Sequence, residues 1–145
     1  MIFYLKMWHT EKTVTKTLVK LLYRTYGDAK CALKHENALQ LLIATILSAQ
    51  CTDERVNKVT QTLFRKYKTA ADYANAPLKE IEKDVHSTGF FRSKAKHIKN
   101  ACAIIHTNFS GKVPDSMDSL VQLPGVGRKT ANVVLGSWFN KPDGV

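Results

Sequence analysis

The run Ala38-Leu39-Gln40-Leu41-Leu42-Ile43-Ala44-Thr45-Ile46-Leu47 leaves this chain few folds to choose from. Apolar residues fill it almost all round, without the alternation of a half-buried strand, so a helix here is covered on most of its faces. Asn37 stands before it as an N-cap, its side chain able to accept from a first-turn N–H. Such a helix is stable only at the centre of other helices, and the rest of the chain supplies them.

Lys12 to Tyr26 carries Val14, Leu18, Leu21 and Leu22 on one side and closes at Gly27, the pattern of a docked flanking helix. Glu54 to Tyr67 keeps helical spacing through Val56, Val59, Leu63, Phe64 and Tyr67, with Thr52 or Asp53 as its cap. Ala70 to Ala74 makes a short turn, and Pro77 opens a helix whose Leu78, Ile81 and Val85 face inward. Ser93 can cap Lys94 to His106, where Ala95, Ile98, Cys102 and Ile105 form the apolar stripe and the lysines are expected outside. Asp115 or Ser116 caps a short helix to Leu123, and Lys129 to Phe139 forms the last, packed through Ala131, Val134, Leu135 and Trp138. No stretch alternates as a strand does, so the class is all-α, with about seven helices and short connections. Residues 1–34 read as a flanking helix and linker, and residues 35–140 as the helical core.

Lys and Arg number 22 against 12 Asp and Glu, a net charge of +10, which favours a polyanionic partner. From Gly89 to Val113 the charged side chains are all basic: Arg92, Lys94, Lys96, Lys99 and Lys112. Lys12, Lys16, Lys20 and Arg24 recur along one side of the first helix. Either set equally describes a solvated face. Cys31, Cys51 and Cys102 are an unpaired, scattered trio, which fits reduced cysteines in a cytosolic protein and neither a disulfide framework nor a metal knuckle. Met1 to Trp8 is interrupted by Lys6 and lacks a cleavage signature, so it does not read as a signal peptide. No run approaches the roughly 18 apolar residues of a membrane span.

The chemistry concentrates in Leu123-Pro124-Gly125-Val126-Gly127-Arg128-Lys129-Thr130-Ala131-Asn132-Val133-Val134-Leu135. Gly125 and Gly127 are able to take positive φ and carry no Cβ, so their N–H groups can approach a ligand where the Arg128 helix begins. A short helix, this hairpin and a second helix, over about residues 116–139, make a helix-hairpin-helix that holds a backbone phosphate without reading sequence. Lys129, beside Arg128, is open to two roles. It is either one more phosphate contact or, with its amine deprotonated by a neighbouring cation and partial desolvation, a nucleophile that forms a Schiff base at a sugar C1′.

This stretch resembles the helix-hairpin-helix of the endonuclease III family of DNA glycosylases with abasic-site lyase activity. Leu47-Ser-Ala-Gln-Cys-Thr-Asp53, continuing into Val56-Asn57-Lys58, is similar to the family's segment after its buried helix. Gly89-Phe90-Phe91-Arg92-Ser93-Lys94-Ala95 resembles its glycine-led turn, and the likeness runs from about Leu18 to Val145. The resemblance implies a helix-hairpin-helix glycosylase core with an incomplete iron–sulfur-side domain. It makes Lys129 the Schiff-base nucleophile, Gly125, Val126 and Gly127 with Arg128 the DNA-holding hairpin, and Gln50 the residue that fills the gap left by an extruded nucleotide. Asp53 would act as a cap steadying the site wall. Adenine-removing relatives usually carry another residue in place of the lysine.

The implied activity is excision of oxidised pyrimidines from double-stranded DNA, then β-elimination at the abasic site, by a monomer in the cytoplasm or on a bacterial nucleoid. Two features of the family are not expected within these residues. The Val-Asp-Thr-His segment that follows the hairpin helix would start about where the chain ends, so residues 141–145 read as its truncated beginning, and Asp143 belongs to a turn instead. The four cysteines that hold a [4Fe–4S] cluster in full-length members have no counterpart, so no metal or cofactor is expected in this chain. The chain is thus expected to be the front part of such an enzyme. The alternatives are a noncatalytic helix-hairpin-helix DNA-binding module and a decayed fragment.

Overall fold

A computed structural model describes residues 2–27 and 31–141. Two compact units divide it, Met1–Lys30 and Cys31–Val145. The first unit is one helix, α1 (Ile2–Tyr26), which starts well before Lys12. Its Val14, Leu18, Leu21 and Leu22 are exposed, where the sequence pattern leads one to expect a buried side.

The second unit holds α2 (Ala38–Ser48), α3 (Asp53–Lys66), α4 (Ala70–Asn75), α5 (Leu78–Val85), a 3-10 turn (His86–Thr88), α6 (Phe91–Asn108), α7 (Met117–Leu120) and α8 (Arg128–Ser137). No strand occurs among the described residues, as the sequence indicates. Leu33 is buried in the core, so Cys31–Lys34, expected in the linker, count with this unit.

The centre is α2, whose Leu41, Leu42, Ile43, Ala44, Ile46 and Leu47 are all buried. Asn37 caps it, its Oδ1 accepting from Gln40 N at 2.9 Å. α2 packs against α3, α6 and α8, and α6 in turn against α4 and α5. The core of a helix buried all round therefore reaches both the hairpin, through α8, and the glycine-led turn, through α6.

Local signals set the ends of the shorter helices. Thr69 and Asp72 form a capping box on α4, with Asp72 Oδ2 accepting from the Lys68 and Thr69 N–H groups at 2.8 and 2.9 Å. Thr69→Ala is expected to lower stability by about 1 kcal/mol, read from thermal melts. The backbone N–H of Thr69, then that of Lys68, hold the Asp72 carboxyl below its ordinary 3.8. The stabilisation is therefore present above that value and lost as pH falls through the lower folded pKa, a dependence that Asp72→Asn removes.

Several helix ends differ from the sequence expectation. Thr52, not Asp53, caps α3: its Oγ1 accepts from Arg55 N at 3.3 Å, while Asp53 is the first helical residue, where its charge suits the helix dipole. α6 starts at Phe91 after Phe90, so Ser93 lies inside its first turn. Trp138 sits one residue past the end of α8 and is 42% exposed, with its ring edge-on to His35 at 6.0 Å, so it is not a core residue of that helix. Asp143 and most of the expected crossing segment at 141–145 lie outside the described residues.

Candidate active site

The hairpin is built by its own sequence. Ser116 caps α7, and Leu120 and Leu123 anchor it in the core. Val126 N donates to Leu123 O at 3.0 Å, closing a turn with Pro124 and Gly125 at its centre. Gly125 has φ +80, the value that the second central position of a Pro-Gly type II turn requires. A Cβ there would lie 2.7 Å from His97 Cβ, so this position excludes a side chain twice over.

Gly127 differs. It is the N-cap of α8 with φ −90 and ψ 175, so it does not use the positive φ open to it. Nothing lies within 4 Å of a Cβ built on it. Its missing side chain serves neither turn nor packing, and it leaves the first-turn N–H groups of α8 without a side-chain cap. Arg128 and Lys129 stand on that turn, both exposed, and no acidic residue accompanies them. Cations at the positive end of a helix dipole oppose local stability, typically by 0.3–1 kcal/mol each, so their placement suits a bound anion. Lys129 is exposed, so the dry surroundings expected around its amine are not built by this chain's own side chains.

Gln50 lies between α2 and α3, exposed, with φ 52. Phe90, at the start of α6, is the second such case: φ 48 and 68% exposed. A large apolar side chain held in water on a left-handed backbone is costly on both counts. Sequence reading passed over it.

α6 joins these segments. Lys94, expected outside, is only 5% exposed, and its Nζ donates to Leu47 O at 2.8 Å and Thr88 O at 2.7 Å. Its spacing with Ile98, Ala101 and Ile105 on the buried stripe was the available signal. Burial pushes its pKa below the ordinary lysine value, with Cys51 acting weakly the other way. His97, one turn on and on the same face, packs against Gly125. The end of α2, the Thr88–Phe90 turn and the hairpin thus rest side by side on the first half of α6. Asp53 follows Gln50 by three residues but is exposed at the start of α3.

The basic run of α6 is partly structural as well. Lys99 Nζ donates to Ala74 O at 2.5 Å and Ala76 O at 2.7 Å, holding the end of α4. Arg92, Lys96 and Lys112 remain exposed. A cavity of about 720 Å³ beside α3 is lined by Lys34, Gln40, Asn57, Phe64 and Arg65 among others, and none of the expected site residues reach it.

A four-thiolate cluster does not fit the cysteines present. Cys31 is exposed, Cys51 half-buried between α2 and α3, and Cys102 buried within α6. No group of three or more potential metal ligands gathers among the described residues. No helix among them is long and apolar enough to cross a membrane.

Comparison with known proteins agrees with the all-helical fold. The chain is 51% identical to endonuclease III of Synechocystis sp. over 140 residues, 97% of this chain and 64% of that protein. It is also 51% identical to endonuclease III of Bacillus subtilis over 117 residues, 81% of this chain and 53% of that one. It therefore spans less than two thirds of either relative. A solved non-covalent endonuclease III–DNA complex superposes with a TM-score of 0.85 at 47% identity, covering 89% of this chain and 60% of that one. A thermostable thymine-DNA glycosylase superposes with a TM-score of 0.82 at 25% identity, covering 90% and 62%. Residues 43–142, which include Gln50, Lys94 and the whole hairpin, match the model of one family, and the chain belongs to it: the HhH-GPD superfamily of base excision DNA repair proteins.

Proposed function

We propose that this chain binds damaged duplex DNA through the Gly125–Lys129 hairpin and cleaves abasic sites through Lys129. The observation that carries the reading is the uncapped start of α8, with two exposed cations and an open Gly127 where a stabilising helix would place an acid. A phosphate oxygen seated on the first-turn N–H groups would bring a sugar to Lys129 and supply the desolvation that the free chain lacks. The Lys129 amine adds to C1′ of the open abasic sugar, and water leaves to give an imine. Loss of a C2′ proton then sends its electron pair into the imine system and expels the 3′ phosphate. On an intact nucleotide the same attack at C1′ expels the base with its bonding pair, and oxidised pyrimidines are the proposed targets.

Gln50 and Phe90 support extrusion of the target. Each is exposed on left-handed backbone, one polar enough to replace lost base hydrogen bonds and the other an apolar wedge of the kind that unstacks a base step. Arg128→Ala is expected to lower the slope of log affinity against log salt by about 1, measured on undamaged duplex over a salt series. The cell compartment proposed is the cytoplasm, on the nucleoid, and the acting species a monomer.

Borohydride trapping tests the reading. Incubated with duplex containing an abasic site, the chain should form a covalent adduct, and its absence sinks the lyase assignment. The exposure of Lys129 favours one second reading, a noncatalytic DNA-binding module. It predicts salt-sensitive binding with no preference for the lesion and no adduct.

A further inference from the structure

We infer that Lys94 is a positioning residue that locks the Gln50 loop and the Phe90 turn into a single unit for engaging the lesion. The inference rests on the proposed role of those two segments. Lys94 is only 5% exposed, so the role inferred for it is to hold those segments and not to contact DNA.

Three bonds define the lock. The Lys94 ammonium donates to Leu47 O at 2.8 Å, in the last turn of α2 and three residues before Gln50. It donates to Thr88 O at 2.7 Å, two residues before Phe90. The Lys94 backbone N–H donates to Phe90 O at 3.1 Å, so the glycine-led turn is held from both sides by one residue. The last turn of α2 has no basic residue of its own, and a cation from another helix reaches one of its free carbonyls.

A spacer would not need this chemistry. A buried ammonium costs solvation that a methionine of similar length avoids, so retaining the charge makes sense where carbonyls from two segments must be held together. Those segments are far apart in sequence, and each ends in an exposed side chain on left-handed backbone, Gln50 at φ 52 and Phe90 at φ 48. Strained positions of this kind persist when their surroundings over-determine them, and Lys94 is the group that both surroundings share.

Hydrogen exchange on the whole chain tests the lock without DNA. In Lys94→Met, exchange at Cys51 N, which donates to Ser48 O, and through residues 86–90 should rise together by about tenfold. Val126 N in the hairpin should stay within about twofold. The functional arm compares binding to an undamaged duplex and to one carrying a tetrahydrofuran abasic analogue, with 2-aminopurine fluorescence reporting extrusion. Lys94→Met should keep undamaged-duplex affinity within about twofold and lose about tenfold of its preference for the analogue.

Exchange that rises in one segment alone, or in neither, overturns the assignment. So does an unchanged preference in a variant that melts cooperatively. Lys94→Gln, whose amide keeps two donors on a shorter stem, carries the same measurements should Lys94→Met not fold, and both segments and the preference should then shift in the same directions by less than about tenfold. A parent chain with no preference for the analogue defeats the proposed function instead, and the exchange result then decides Lys94 by itself.

Discussion

Lys129→Ala is expected to abolish borohydride capture of abasic-site DNA, lowering adduct formation by about a thousandfold or more, without loss of the fold. No other group can replace a primary amine in the imine, so the effect is set by chemistry and not by degree of contact. The fold should be indifferent because the Lys129 side chain is exposed. Removing a cation from the first turn of α8 should raise the melting temperature slightly, since a positive charge there opposes the helix dipole. Lys129→Arg separates the two roles of the residue. It keeps the charge and the salt-dependent binding but has no amine to add to C1′, so it should bind and not trap. Equal trapping in either variant would move the nucleophile elsewhere.

The two hairpin glycines should fail in opposite ways. Gly125→Ala places a Cβ 2.7 Å from His97 Cβ on a residue at φ +80. Left-handed backbone costs a non-glycine residue roughly 1–2 kcal/mol and overpacking roughly 1–3 kcal/mol more, so the variant should lose about 2–5 kcal/mol. That is roughly a 5–15 °C fall in melting temperature for a domain of this size. Adding His97→Ala should recover only the part due to the His97 ring, whose Cγ and Nδ1 lie at 2.8 and 2.9 Å, because alanine keeps the Cβ at 2.7 Å; a double-mutant cycle isolates that interaction. Gly127→Ala meets no neighbour and keeps an ordinary φ, so its stability should change by less than about 1 kcal/mol. Its methyl group instead stands where a phosphate would approach the α8 amides, and duplex affinity should fall by about tenfold. A Gly127→Ala chain that binds like the parent would remove the hairpin from the interface.

Periodicity and capping made most of the fold legible. The unbroken apolar run at 38–47 implied a central helix, and Asn37 marked its start. The hairpin was equally legible because Pro-Gly turn chemistry and helix starts are local. What escaped were choices between adjacent candidates: Thr52 and Asp53 are both good caps, and only the bond to Arg55 N decides. Charge was the weakest guide. Lys94 and Lys99 counted towards a basic surface, yet both turn inward to hold carbonyls at the ends of other helices.

The sequence by itself determined an all-helical core, a Pro-Gly hairpin and the place of Lys129, the proposed nucleophile, on its second helix, because turns, caps and helical periods depend on neighbours a few residues apart. Tertiary structure decided which lysines serve the fold, which glycine is required by packing and which stands in open space, and that Phe90 stands exposed beside the Gln50 loop. Those outcomes depend on segments tens of residues apart meeting around α6. A contact of that range leaves its mark in space, and only faintly in the local pattern of residues.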